Sequence, residues 1–218
     1  SMGEYFKYLK EKGVPVNIAS LIGYGAVRFT VMGMDNRVPS SLEMKKLKFL
    51  IQDSLEHGAV GISIGPYLPC SMASSNEITS VCKLVAKRDG FLASHLRSEG
   101  DEVLESLKDV IRIAKNAGIR LQISHLKAYG SSNWDKIDKI LQMIERAKSD
   151  IEINFDQYPY IAGSTTLLSL LPPWVLIGDI KSIISRLKDS EIQRQIRHDI
   201  DKGIKGWENY SKLIGWDN

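Results

Sequence analysis

The sequence predicts an α/β fold: a partial (β/α)8 barrel, carrying five or six of the eight strand–helix units. Three observations predict it. Short apolar runs alternate with amphipathic helices at a period near 30 residues. The runs are mainly apolar, as expected of strands buried on both faces of a parallel sheet. Polar residues that can do chemistry, Ser63, His95, His125 and Asp156, stand at the C-terminal ends of those runs, where a barrel assembles its site. No Gly-x-Gly-x-x-Gly or Walker loop opens a helix, so a nucleotide-binding doubly wound sheet lacks its signature.

The elements follow in order. Helix 4–13 (EYFKYLKEKG) stops at Gly13 and Pro15. Strand 16–23 comes next, then a glycine-bearing loop to about residue 39. Ser40-x-x-Glu43 opens helix 41–57, and Ser74-x-x-Glu77 opens helix 75–89; both are capping-box patterns. Strand 59–65 and a proline-rich loop lie between those helices. Strand 91–96 leads to helix 101–117, whose Val103, Leu107, Val110, Ile111 and Ala114 form one stripe before Gly118 ends it. Strand 120–126 and helix 133–148 repeat the unit, and IEINFD (151–156) is a fifth strand. A long irregular stretch, helices at 179–188 and 190–203, and a sixth strand at 211–216 complete the reading. One domain spans 1–218, with residues 157–210 a loop and helical insertion near the site. Ser1-Met2 reads as a cloning remnant, so the chain is expected to be a piece of a longer protein.

Composition narrows the function classes. A net charge of +3, with Lys and Arg mixed among Glu and Asp, gives no nucleic-acid surface. No apolar run approaches the ~20 residues that span a bilayer, and no signal peptide is visible. Two cysteines, Cys70 and Cys82, are too few for a disulfide framework and favour a reducing, cytoplasmic setting.

The triplet Ser-His-Leu occurs at 94–96 and again at 124–126, placing His95 and His125 at the ends of consecutive strands. Two imidazoles so placed reach one metal ion; the alternative is that each caps its strand on a nearby carbonyl. Arg97 and Glu99 either orient a ligand, pair with each other or begin a solvated helix, and Lys127 is open in the same way. DQYPYIAGST (156–165) sets Asp156 at a strand end beside Tyr158, Tyr160 and Ser164, groups able to bind a carboxylate or amide. A structural reading of that stretch has Tyr160 packing and Asp156 capping. Tyr67, in GPYLP (65–69), faces either substrate or the barrel rim. His57 at a helix end and His198 in a charged helix read as structural, and Cys70 has no ligand partner nearby in sequence.

LIGYGAVR (21–28), VMG (31–33), GAVGIS (58–63), SHLRSEGD (94–101), ISHLKAYGSSNW (123–134), FDQYPYIAGSTTL (155–167) and LLPPW (170–174) together resemble the D-aminoacylases. These are the N-acyl-D-amino-acid deacylases of the amidohydrolase superfamily. The resemblance implies a zinc-dependent (β/α)8 barrel that hydrolyses the acyl amide of N-acyl-D-amino acids. It implies His95 and His125 as zinc ligands, and Tyr67, Tyr158 and Ser164 as substrate contacts, with a small-molecule substrate as the partner.

Departures from the family pattern set further expectations. The His-x-His pair and the Asn-Cys-Gly ligand motif have no counterpart here. The general-base aspartate and its arginine are expected beyond Asn218, so the chain alone is expected to be inactive. Tyr24 stands where the family has histidine. Two rivals stay open: a hydantoinase- or dihydropyrimidinase-like amidohydrolase, and a non-catalytic barrel remnant with a binding role. Unpaired edges of an incomplete barrel are expected to drive self-association.

Overall fold

A computed structural model describes residues 1–204 and 207–214. Five parallel strands form one sheet in the order β1-β2-β3-β4-β5: Leu21–Gly23, Gly61–Ile64, Phe91–Ser94, Arg120–Ile123 and Ile153–Phe155. Sequential order with every pair parallel requires a crossover between neighbours. Helices α2 (Tyr24–Met32), α3 (Ser41–Glu56), α4 (Ser75–Ala86), α5 (Val103–Ala117) and α6 (Ile137–Ala147) fill these connections; α1 (Met2–Lys12) precedes β1.

The register decides which face is core. Ile22, Ile62, Leu92, Leu121 and Ile153 lie in one row across the sheet, all buried, and join Val81, Leu107 and Ile140 of the helices. The adjacent row, Gly23, Ser63, Ala93, Gln122 and Asn154, points to the opposite face because side chains alternate along a strand. Gly61 permits the close approach of β2 and β3, since a Cβ there would lie 2.4 Å from the Phe91 carbonyl oxygen. The predicted stripe of α5 is buried as read, and Gly118 ends the helix in the left-handed conformation, φ 64°.

The structure differs from the sequence reading at several elements. Strand 16–23 is a regular strand only at Leu21–Gly23, paired with β2 among the described residues, and one further backbone bond runs from the Val60 N–H to Ser20 O at 3.0 Å. The loop expected to run to residue 39 contains α2, whose buried Tyr24, Arg28 and Met32 recur at four-residue spacing. Ser40–Glu43 forms the full capping box, whereas at Ser74–Glu77 only half of it exists: Ser74 accepts from the Glu77 N–H and the carboxylate goes elsewhere. Residues 211–214 of the expected sixth strand belong to helix α9 (Tyr210–Ile214); residues 215 and 216 lie outside the described residues.

After β5 come a long loop, α7 (Ile180–Lys188) and α8 (Ser190–Lys202). These helices bury Val175, Ile183 and Ile196, with Trp174 Nε1 donating to Asp199 Oδ2 at 2.9 Å. No helix among the described residues is long and apolar enough to cross a membrane.

Candidate metal centre

Parallel pairing brings all strand C-termini to one side, and the ladder continues one residue further. The His95 N–H donates to Ile64 O (3.0 Å) and the Ser124 N–H to Ser94 O (3.0 Å). His95 therefore lies two residues beyond Ala93, on the face away from the helices. His125 does not follow by the same rule. In an unbroken strand it would share the face of Ile123, which is buried among the helices. A left-handed turn at His125, φ 39°, breaks the alternation and returns its ring to the open face. Asp156 holds that turn: its Oδ1 accepts the His125 N–H at 2.6 Å and its Oδ2 accepts Gln122 Nε2 at 2.8 Å.

The result is a pair of facing imidazoles. His125 Nε2 lies 2.6 Å from His95 Nδ1, and the ring centroids are 4.3 Å apart. Burial first, and then the neighbouring His125, lower the His95 pKa from the usual imidazole range. Two such nitrogens suit zinc, although ligands sharing one tetrahedral ion at ~2.0–2.1 Å stand roughly 3.3 Å apart, so the rings must part by some tenths of an ångström. Among the described residues no group of three His, Cys, Asp or Glu side chains is placed to hold an ion. The donors present therefore fit zinc as an incomplete set.

Around the pair, Lys127 Nζ is 2.6 Å from Glu99 Oε2 and 2.9 Å from His125 Nδ1, and lies 5.3 Å from the centroid of the Tyr158 ring. Glu99 thus pairs with Lys127, not with Arg97 as one sequence reading had it. Arg97 points away from the histidines. It donates to Ser71 O (3.0 Å) and Ala73 O (2.6 Å), tying the loop after β2 to the end of β3. Tyr158 stacks on Tyr160 at 4.4 Å, and its ring is 6.5 Å from that of His125. Tyr67 shares a 3.0 Å hydrogen bond with Thr165, which joins the loop after β2 to the loop after β5. Ser164 lies exposed in that same loop, bonded to neither histidine.

The remaining sequence candidates are structural. His57 caps α3, its Nδ1 2.8 Å from Asp53 O. Both cysteines are buried thiols; burial pushes Cys82 up to about 12 and raises Cys70 as well, so neither is a ready thiolate ligand. Sequence reasoning missed the buried set of Tyr24, Arg28 and Glu77. Its signal was the apolar-looking helix that carries an arginine four residues after Tyr24. It also missed Glu208, which accepts from the Glu99 N–H at 2.6 Å; no motif announces it.

A five-stranded parallel sheet in sequential order, with convergent imidazoles at its C-terminal edge, matches part of an amidohydrolase-type barrel. In sequence, the chain is a homologue of part of the D-aminoacylases. It is 32% identical over 165 residues to the D-aminoacylase of Alcaligenes xylosoxydans xylosoxydans, matching 75% of this chain and 34% of that protein. It is also 32% identical over 169 residues to the N-acyl-D-glutamate deacylase of the same organism, covering 77% and 35% respectively. The chain thus spans about one third of the curated relatives it matches. Among solved structures, a D-aminoacylase mutant in complex with CuCl2 superposes with a TM-score of 0.74 at 29% identity, covering 90% of this chain and 44% of that one. The N-acyl-D-glutamate deacylase of Bordetella bronchiseptica, complexed with zinc and a phosphonate inhibitor, gives 0.70 at 31% identity, covering 73% and 34%. No family model matches the chain.

Proposed function

We propose that this chain supplies the middle of the active site of a zinc-dependent N-acyl-D-amino-acid deacylase. The facing imidazoles of His95 and His125, at the ends of adjacent strands, carry the reading. His95 Nδ1 and His125 Nε2 would hold the ion. When bound, zinc supplies Lewis acidity toward an amide carbonyl and a more acidic water.

The chain's own residues do the rest. Asp156 holds the turn that aims His125, and Lys127 places a cation beside the pair. Tyr67, Tyr158 and Ser164 come from the two loops bordering the site and offer hydroxyls and ring faces to an acyl amino acid. Residues 157–210 act as one insertion above the site, fastened by the Tyr67–Thr165 hydrogen bond. Two free, buried cysteines suit a reducing, cytoplasmic compartment. Catalytic zinc takes three protein ligands, so the two histidines alone are expected to give little or no turnover.

The test is zinc per chain, measured by elemental analysis after dialysis against metal-free buffer. A value near one supports a site partly assembled around the pair, and its loss in His125→Ala assigns the ligand. Equal zinc in wild type and His125→Ala would overturn the reading, and robust deacylation by the 218-residue chain would sink the expectation of little or no turnover.

A further inference from the structure

Glu99 is built into the site from several directions. Its backbone N–H donates to Glu208 Oε1 and its carbonyl accepts the Tyr129 N–H, each at 2.6 Å. The C-terminal segment and the loop after β4 therefore fix the peptide from both sides, and the residue is 9% exposed. One carboxylate oxygen, Oε2, accepts from Lys127 Nζ. The other, Oε1, is fully buried, 2.8 Å from His125 Nδ1, and among the described residues has no hydrogen-bond partner until a proton is assigned to that nitrogen.

That orphan oxygen settles the proton. A buried carboxylate oxygen without a donor is strongly disfavoured, and the His125 Nδ1 is placed to be the donor. Lys127 also approaches Nδ1, at 2.9 Å. If Nδ1 accepted from the ammonium, however, Oε1 would be left bare. Releasing Nδ1 costs Lys127 little, because it keeps Glu99 Oε2 and the face of Tyr158.

We propose that Glu99 is a positioning residue that locks His125 as the Nδ1–H tautomer, leaving the Nε2 lone pair free for the metal. This rests on reading His95 and His125 as ligands. A carboxylate behind a ligating imidazole fixes ring orientation and raises ligand basicity. The lock also sets the proton between the rings. With His125 Nε2 an acceptor, His95 Nδ1 carries the N–H of the 2.6 Å contact. For both nitrogens to turn to an ion, His125 changes nothing, and His95 passes its proton from Nδ1 through solvent to Nε2.

The experiment is long-range ¹H–¹⁵N correlation on the metal-free 218-residue chain labelled at histidine, beside zinc titration against a chromophoric chelator. His125 is expected as the Nδ1–H tautomer in wild type and in Lys127→Met. In Glu99→Gln it is expected to shift toward Nε2–H, with zinc held about 10–100-fold more weakly. A wild-type His125 protonated at Nε2 overturns the proposal, whether or not any variant folds. So does a Lys127→Met variant that switches tautomer, or a folded Glu99→Gln variant matching wild type in both readouts. If no chain binds zinc but the tautomer switches in Glu99→Gln alone, the ligand reading fails while the hold of Glu99 on the imidazole stands.

Discussion

Arg28→Met tests the least legible part of the structure. Arg28 is fully buried and the Glu77 side chain nearly so; Glu77 Oε1 accepts Arg28 Nε at 3.1 Å and the Tyr24 hydroxyl at 2.5 Å. The guanidinium also donates to Asp35 O (3.1 Å) and Arg37 O (2.9 Å), closing the segment after α2. Methionine fills much of the volume but leaves a buried carboxylate with one hydroxyl donor. Removing one partner of a buried pair costs about 3–5 kcal/mol. Tyr24 remains as a donor, which puts the expectation near the lower end, about 3 kcal/mol. At a urea m-value near 2 kcal/mol/M that moves the midpoint down by about 1.5 M. Glu77→Gln is expected to cost less, about 1–3 kcal/mol, because the two carbonyls still hold the guanidinium. The double variant buries no charge, so its loss should fall short of the two single losses combined. An Arg28→Met variant within about 1 kcal/mol of wild type, or strictly additive losses, would refute the reasoning.

Two further expectations concern the chain ends. Burial raises the Glu208 carboxyl above the ordinary range, so the folded chain holds that proton more tightly than the unfolded chain. The resulting stability is fully present below the unfolded value of about 4.3 and is lost as pH rises through the raised folded value. Glu208→Gln should therefore gain on wild type in urea midpoint as pH rises through that window; a constant gap would count against it. The β1 and β5 edges, Leu21–Gly23 and Ile153–Phe155, are each paired on one side only among the described residues, and self-association through them is expected. Sedimentation velocity checks this: a single monomeric species across a hundredfold range of concentration rules it out.

What was legible in the sequence is what periodicity and repetition write down. The five strands and helices α3 to α6 follow from apolar runs and stripes, because the sheet face and the helix faces packed on it must both be apolar, whereas α2 was read as a loop. The His95–His125 pairing was visible because two strands end in the same triplet. The partner of Glu99 was not. In sequence Arg97 is its nearest cation, but the backbone turn sends Arg97 to Ser71 O and Ala73 O and leaves Lys127 of the next loop to meet the carboxylate. Glu77 misled for a related reason. Ser74-x-x-Glu77 satisfies a local rule, yet Arg28, 49 residues earlier, competes for the carboxylate and wins because both lie out of water. Tyr24, the departure from the family's histidine, belongs to that buried set, where its hydroxyl supplies a donor to the carboxylate.

His125 carries the sharpest remaining test, since strand alternation alone would have hidden it among the helices. Its positive φ is the device that exposes the ring, and a non-glycine residue held there costs about 1–3 kcal/mol. Asparagine tolerates this region, whereas a β-branched side chain does not. His125→Asn and His125→Val both remove the imidazole and its contacts with His95 and Lys127. The difference between them isolates the backbone: the valine variant is expected to be less stable than the asparagine variant by about 1–2 kcal/mol in urea unfolding. Asp156→Ala, which removes the acceptor of the His125 N–H, should narrow that difference by letting the turn relax toward an ordinary strand end. Equal stability of the two variants in the Asp156 background and a clear gap in wild type would show a turn imposed by the aspartate. Equal stability in both backgrounds would mean the turn is not strained, and the reason for its placement would have to be sought in the rings themselves.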